Sequence, residues 1–129
     1  MKLATPCRPH AYGLWLDDVH APPSSDWQWA KTSRECISAI LARTFAVVSL
    51  DHDLGGQDTG AAVLAWLERT HHDPVEPDVR PREVRLHTAN PVGRGMMAAQ
   101  LLSIGYTARP PMVWTMPAGD LRTVYPFVL

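Results

Sequence analysis

The sequence predicts an α/β fold with a mostly parallel central sheet, and three observations carry that prediction. Two short apolar runs, Tyr12 to Leu16 and Phe45 to Leu50, stop abruptly on ionisable side chains, segments of helical spacing stand between and after them, and a third, alternating run from Glu83 to Thr88 repeats the order of strand then helix. Strands alternating with helices indicate parallel pairing, because a parallel connection needs a crossover long enough to hold a helix. At 129 residues the chain reads as one domain. That is long enough to bury roughly 65–70% of its unfolded surface without help from disulfides or a metal. The motif-bearing core spans residues 12–109, and residues 110–129 form an apolar, Pro-rich tail.

Each element has a local reason. Tyr12-Gly13-Leu14-Trp15-Leu16 reads as a strand that delivers Asp17 and Asp18 to a loop containing Pro22-Pro23. Trp27 to Ala30 alternates apolar and polar side chains, as a half-buried or edge strand does. Thr32-Ser33-Arg34-Glu35 is a capping box, in which Thr32 accepts from the Glu35 amide and the Glu35 side chain reaches back to the Thr32 amide. The helix it opens runs to about Arg43 and buries Cys36, Ile37, Ile40 and Leu41. Phe45 to Leu50, with β-branched Val47 and Val48, is a buried strand; Asp51, His52 and Asp53 sit at its carboxyl end and Gly55-Gly56 mark the loop beyond. An amphipathic helix follows from Thr59, ending near His71-His72, and the Pro-rich stretch from Asp73 to Pro81 is a surface connection. After the strand from Glu83, Asn90 caps a helix with Pro91 at its first position. That helix carries Met96, Met97, Leu101, Leu102 and Ile104, and Gly105 ends it. Tyr106 to Ala108 is a last short strand. The tail, with Trp114, Tyr125 and Phe127, is too apolar to hang free, so it packs on the sheet or forms a homo-oligomer contact.

Composition excludes several classes of function. A formal net charge of -1, from 12 basic and 13 acidic residues, argues against a broad electrostatic grip on nucleic acid or an anionic membrane. Any nucleic-acid contact is therefore local, at a chain end or a single nucleotide. Cys7 and Cys36 are too few for a disulfide framework, and no stretch has the length of a signal or membrane-spanning segment, which places the chain in the cytoplasm with no membrane partner.

The candidate site follows from topology. In a parallel sheet the ends of three strands, bearing Asp17-Asp18, Asp51-His52-Asp53 and His87-Thr88-Ala89-Asn90, lie on one edge, where ligands of open α/β sheets bind. Carboxylates gathered in a partly desolvated crevice repel one another, and a hard divalent cation relieves that repulsion. Magnesium held by two or three carboxylates leaves positions for phosphate oxygens, and manganese or iron suits a mixed Asp and His set. Imidazoles beside it serve as general acid or base, Thr88 and the amides after Asn90 can receive a phosphate, and Arg94, a cation on the first turn of a helix, asks for an anion partner. Each piece also has a purely structural reading. Asp17-Asp18 can be a solvated strand end, Asp51 and Asp53 loop caps, His87 a satisfied core histidine, and Asn90 a helix cap.

At these residues the sequence resembles the cyclic-phosphate processing receiver-like domain family. Leu16-Asp17-Asp18-Val19, Ser49-Leu50-Asp51-His52-Asp53-Leu54-Gly55, Gly60 and His87-Thr88-Ala89-Asn90-Pro91-Val92-Gly93-Arg94 are similar to its motifs, over about residues 12 to 97. The resemblance implies a receiver-like three-layer sandwich and a role in processing cyclic phosphates of nucleotides or RNA ends. It implies a metal pocket at Asp17, Asp18 and Asp51, a phosphate contact at Thr88, and family-specific positions at His52, Asp53, His87, Asn90 and Arg94. Two residues depart from the pattern. His20 stands where the family has Arg, and Arg109 is the nearest counterpart of the Lys that receivers carry after their last strand.

The function that follows is a metal-dependent phosphoesterase. Asp17, Asp18 and Asp51 hold magnesium or manganese, His52, His87 and Asp53 handle protons, and Thr88, Asn90, Arg94 and His20 bind the phosphate of a nucleotide or RNA end. Two alternatives stand beside it: a signalling module phosphorylated on Asp51, and a module that captures a nucleotide or protein without chemistry.

Overall fold

A computed structural model of the chain describes residues 11–109 and 112–116. In chain order the elements are β1 (Gly13–Leu16), β2 (Trp27–Ala30), α1 (Ser33–Ala42), β3 (Val47–Leu50), β4 (Asp53–Leu54), β5 (Asp58–Thr59), α2 (Ala61–His72), β6 (Glu83–Leu86), α3 (Pro91–Ser103), β7 (Thr107–Arg109) and β8 (Val113–Thr115). One six-stranded sheet has the order β2-β1-β3-β6-β8-β7, and β4 and β5 form a separate small hairpin. β2, β1, β3 and β6 run parallel, while β8 is antiparallel to both β6 and β7. The expected α/β class with a mostly parallel sheet is thus the observed one. The chain steps outward from β1 to β2 and then back across β1 to β3. The crevice between the carboxyl ends of β1 and β3 is therefore a topological switch point.

Side-chain alternation puts Leu14 and Leu16, Val48 and Leu50, and Val84 and Leu86 on one face of the sheet, where they meet Cys36 and Ile40 of α1, Leu64 and Leu67 of α2, and Met97 and Leu101 of α3. Each such fully buried aliphatic side chain contributes about 1.5–3 kcal/mol of transfer free energy. α2 packs between α1 and α3, so the three helices form one layer. A third layer is not formed by the described residues. On the other face Trp27 lies across Gly13 and Val47, and a Cβ at Gly13 would come within 2.5 Å of the Trp27 ring. Gly13 is required for close approach.

Several expectations are corrected in detail. The Glu35 carboxylate accepts from the Lys31 amide at 2.7 Å rather than from Thr32, although Thr32 does accept from the Glu35 amide. Leu41, Met96 and Leu102 are exposed, because the core stripes run through Cys36, Ala39 and Ile40 on α1 and through Gly93, Met97 and Leu101 on α3. The last strand begins at Thr107 and pairs with β8, which alone of the two reaches β6. Trp114 is thus part of the sheet, whereas Tyr125 and Phe127 lie outside the described residues.

The segment from Asp73 to Pro81 is not wholly a surface connection. Arg80 is only 6% exposed and donates through Nε and Nη2 to the Asp78 carboxylate at 2.9 and 2.7 Å, and through Nη1 to the Ile104 carbonyl at 2.7 Å. Ile104 itself follows α3 in a Schellman turn: Gly105 has φ +94°, its amide donates to Leu102, and the Tyr106 amide donates to Leu101. The Tyr106 hydroxyl then donates to the Pro81 carbonyl. Arg80 and Tyr106 together clamp the end of α3 to the start of β6.

Burial disfavours the Asp78 carboxylate, but the Arg80 side chain and amide, aided by His71, outweigh it and hold its pKa below the ordinary value. A carboxyl depressed in the fold stabilises above the unfolded pKa of about 3.9 and loses that contribution as pH falls through the folded value. Asp78→Asn is expected to lower stability by about 2–3 kcal/mol at neutral pH, since it strips a buried guanidinium of its partner. The same substitution should flatten the fall in stability between about pH 5 and 2. Denaturant titrations across that range check both; an unchanged midpoint at pH 7 refutes the clamp.

Candidate functional site

The sheet register builds the site. Leu16, Leu50 and Leu86 are aligned across β1, β3 and β6, and the ladder continues one residue further, with the Asp51 amide donating to Leu16 and the His87 amide to Leu50, both at 3.0 Å. Asp17, Asp51 and His87 therefore occupy a single rung just beyond the strands. With Trp15, His20, Asp53, Thr88, Ala89 and Asn90 they line an open cleft of about 460 Å³.

Asp17 is 1% exposed and sits at the start of the loop that links β1 to β2 without a helix. Its Oδ1 accepts from the amides of Val19 and His20 at 2.9 and 2.8 Å, and its Oδ2 accepts from His87 Nε2 at 3.1 Å. Two indoles brace the same loop: Trp29 Nε1 donates to the Asp17 carbonyl at 2.7 Å and Trp15 Nε1 to the His20 carbonyl at 2.9 Å. Burial works against the Asp17 charge, but the two amides and His87 outweigh it and hold the pKa below the ordinary carboxylate value. Asp18 accepts from the Gly55 amide at 2.9 Å, tying this loop to the β4–β5 hairpin, and Asp51 accepts from the His52 amide at 2.8 Å. Gly60 permits this packing, because a Cβ there would meet the Asp51 carbonyl oxygen at 1.9 Å.

The histidines are placed differently from one another. The His87 ring stacks on Trp15 at 3.9 Å and 5°, and its Nδ1 lies 2.7 Å from the Ser49 hydroxyl. Burial pushes the His87 pKa below its ordinary value, against the pull of Asp17 and Asp51. His52 is not among the residues lining the cleft; its ring lies against Gly93 of α3, where any Cβ would come within 2.4 Å, and its Nδ1 donates to Asp53 Oδ1 at 2.9 Å. Asp53 faces the cleft, and first His52, then Asn90, hold its pKa below the ordinary value. His20 keeps 79% of its side chain exposed, 3.5 Å from Asp17 Oδ2.

At the third strand end, Asn90 serves two neighbours at once. Its Oδ1 accepts from the Val92 and Gly93 amides at 3.0 Å, and its Nδ2 donates to Asp53 at 3.2 Å. The first free amides of α3 are thereby satisfied by the cap. Buried Thr88 accepts from the Asn90 amide at 3.1 Å, and Arg94 turns back to donate to the Thr88 carbonyl at 3.2 Å. That carbonyl is the partner of the first-turn cation. Arg109 lies on the outer strand β7, with Nε 3.4 Å from Thr115 Oγ1, and does not line the cleft. The residues sequence reasoning missed are Trp15 and Ser49. Ser49 is the one hydroxyl in the apolar run of β3, which is a signal the sequence carries, whereas its pairing with Trp15 is set by the strand register.

One oxygen each from Asp17, Asp18 and Asp51 lies within 4.8 Å of the other two. Octahedral magnesium places its ligands about 3 Å apart in cis and about 4.2 Å in trans, so modest side-chain rotation closes the triad on one ion. The donor set is all carboxylate oxygen, as a hard cation requires. Among the described residues lining the cleft there is no Lys or Arg to offset the charge. Asp17, Asp18 and Asp51 can hold a metal ion. Among the described residues no helix is long and apolar enough to cross a membrane.

Comparison with known proteins adds one finding. No curated protein and no solved structure matches the chain. The family model of the cyclic-phosphate processing receiver domain matches residues 12–103. That match runs from the entry to β1 to the end of α3 and takes in every acid and imidazole described above together with Ser49 and Thr88, and so the chain belongs to the cyclic-phosphate processing receiver domain family.

Proposed function

We propose that the domain is a divalent-metal-dependent phosphoesterase that opens the cyclic phosphate of a nucleotide or of an RNA end. The family supports the class of ligand. The observation that carries the catalytic reading is that two members of a three-carboxylate donor set, Asp17 and Asp51, share one cleft with a further, oriented carboxylate and two imidazoles, Asp53, His20 and His87. A phosphoryl acceptor needs no such proton-handling groups.

In this reading Asp17, Asp18 and Asp51 hold magnesium or manganese, which when bound supplies Lewis-acid polarisation of a phosphoryl oxygen and a more acidic water. Thr88 spends its oxygen on the Asn90 amide, which leaves its O–H to donate to a phosphate oxygen. Asn90 and Arg94 keep that hydroxyl in place, Asn90 by its amide and Arg94 by the Thr88 carbonyl. Asp53, oriented by His52 Nδ1 and Asn90 Nδ2, takes the proton of the attacking water as the new P–O bond forms. The ring P–O bond breaks, and the departing sugar oxygen takes a proton from His20, which lines the same cleft. Water is consumed and a phosphomonoester with a free hydroxyl is released, so the step balances.

Purified protein with magnesium or manganese is expected to open one class among 2′,3′-cyclic and 3′,5′-cyclic mononucleotides, cyclic oligonucleotides and RNA ending in a 2′,3′-cyclic phosphate. Chelator and Asp51→Asn should each abolish that turnover. A stable phosphoryl adduct after incubation with a small phosphodonor, absent in Asp51→Asn and seen without turnover of any cyclic phosphate, identifies a switch instead. Asp53→Asn should lower kcat by about 100-fold or more, the size of a lost general base. It should leave the manganese-induced rise in Tm intact, because Asp53 is outside the triad. Parent-like kcat in that variant removes Asp53 from the mechanism.

A further inference from the structure

We infer that Ser49 is a positioning residue which, through His87, fixes the Asp17 carboxylate and thereby sets the affinity of the acidic triad for its cation. The inference rests on the reading of Asp17, Asp18 and Asp51 as a cation site.

Ser49 is 2% exposed and stands between Val48 and Leu50 in a strand that is otherwise aliphatic. A hydroxyl buried there costs about 1–3 kcal/mol if left unpaired, and its partner is His87 Nδ1 at 2.7 Å. The other ring nitrogen, Nε2, lies 3.1 Å from Asp17 Oδ2. An ionised carboxylate only accepts, so Nε2 carries a proton, and in the neutral ring Nδ1 accepts from the Ser49 O–H. The result is a directed chain from Ser49 O–H to Nδ1, and from Nε2–H to Asp17. Its order of residue types is that of a hydrolytic triad, but the hydroxyl is buried behind the imidazole and does not line the cleft. Ser49 is therefore no nucleophile.

Size matters as much as hydrogen bonding. Trp15 and Ser49 are paired on adjacent strands, and His87 comes directly after β6, the strand on the far side of β3. The small side chain at 49 leaves the Trp15 and His87 rings room to meet across the middle strand, stacked at 3.9 Å. The ring is thus held by its face and by both nitrogens. Asp17 Oδ1 is meanwhile held by two amides, so all the freedom left to this carboxylate is controlled at Oδ2. Partners that orient a metal-binding side chain in this way are typically worth 10–100-fold in metal affinity.

The test uses the full chain and Mn²⁺. Ser49→Ala should bind Mn²⁺ about 10-fold more weakly by calorimetry, while Ser49→Thr, which keeps the hydroxyl, restores most of the affinity. Long-range ¹H–¹⁵N spectra of histidine-labelled metal-free protein should show a single Nε2–H tautomer of His87 in the parent and an averaged ring in Ser49→Ala. His87→Gln retains a donor for Asp17 that does not depend on position 49. In that background Ser49→Ala should cause no further loss of affinity. Parent-like affinity in Ser49→Ala overturns the proposal whatever the spectra show. Failure of the parent itself to bind Mn²⁺ overturns the cation site, and the proposal with it.

Discussion

Like-charge repulsion at one sheet edge is the constraint on which the rest depends. Two carboxylates about 4 Å apart oppose each other by about 1 kcal/mol in water and about 4 kcal/mol at a protein surface of lower effective dielectric. Here register brings Asp17 and Asp51 to the same rung, with Asp18 beside them and Asp53 in the same cleft. The fold answers by giving each acid an N–H of its own. Asp17 receives two amides and an imidazole, Asp18 the Gly55 amide, Asp51 the His52 amide, and Asp53 an imidazole and an amide side chain. Those donors fix the loops around the acids, and the charge that remains is what a cation would neutralise.

The loop after β1 shows how far the surrounding structure serves that end. A parallel connection usually carries a helix, and residues 17–26 carry none. A loop without its own backbone ladder would leave Asp17 poorly placed. The indoles of Trp15 and Trp29 supply the missing restraints from the two neighbouring strands, by donating to the carbonyls of His20 and Asp17. The Asp18 to Gly55 bond closes the loop from the other side. Tryptophan is a costly residue to expose on a sheet face, and here its polar edge has a defined purpose.

What was legible from the sequence, and what was not, divides along physical lines. Apolar runs that end abruptly on acids are a strong signal, so the strand ends bearing Asp17, Asp51 and His87 were placed correctly, as were the Thr32 and Asn90 caps and the Gly105 stop. β8 was hidden because three residues, Val113 to Thr115, are too few for periodicity to register. Arg80 was hidden because Pro-rich composition says surface, while its burial depends on Asp78 and on a carbonyl 24 residues away. Leu41 was misjudged because hydrophobicity outranked position: the small Ala39 occupies the core stripe and the larger Leu41 does not. The parts of His52 and His87 could not be separated, since both adjoin acids in the chain or in the register, and only packing tells which face each ring takes.

That packing makes the two imidazoles parallel devices aimed at different acids. His87 stands behind Asp17, and His52 stands behind Asp53; each donates a ring N–H to one carboxylate and is held in turn, by Ser49 and Trp15 in the first case and by the glycine surface of α3 in the second. Asp51, the acid a signalling receiver would phosphorylate, accepts from the His52 amide and not from a ring nitrogen, no Lys or Arg is among the described residues lining its cleft, and Arg109 is spent on Thr115 at the outer edge. Investment in orientation therefore falls on one acid of the cation triad and on one acid outside it. Transfer of a phosphoryl group to Asp51 makes no use of an oriented base at Asp53, whereas hydrolysis of a phosphate ester held against the triad does. The distribution of hydrogen bonds, more than the presence of any single residue, is what weighs for chemistry on a bound cyclic phosphate over storage of a phosphoryl group.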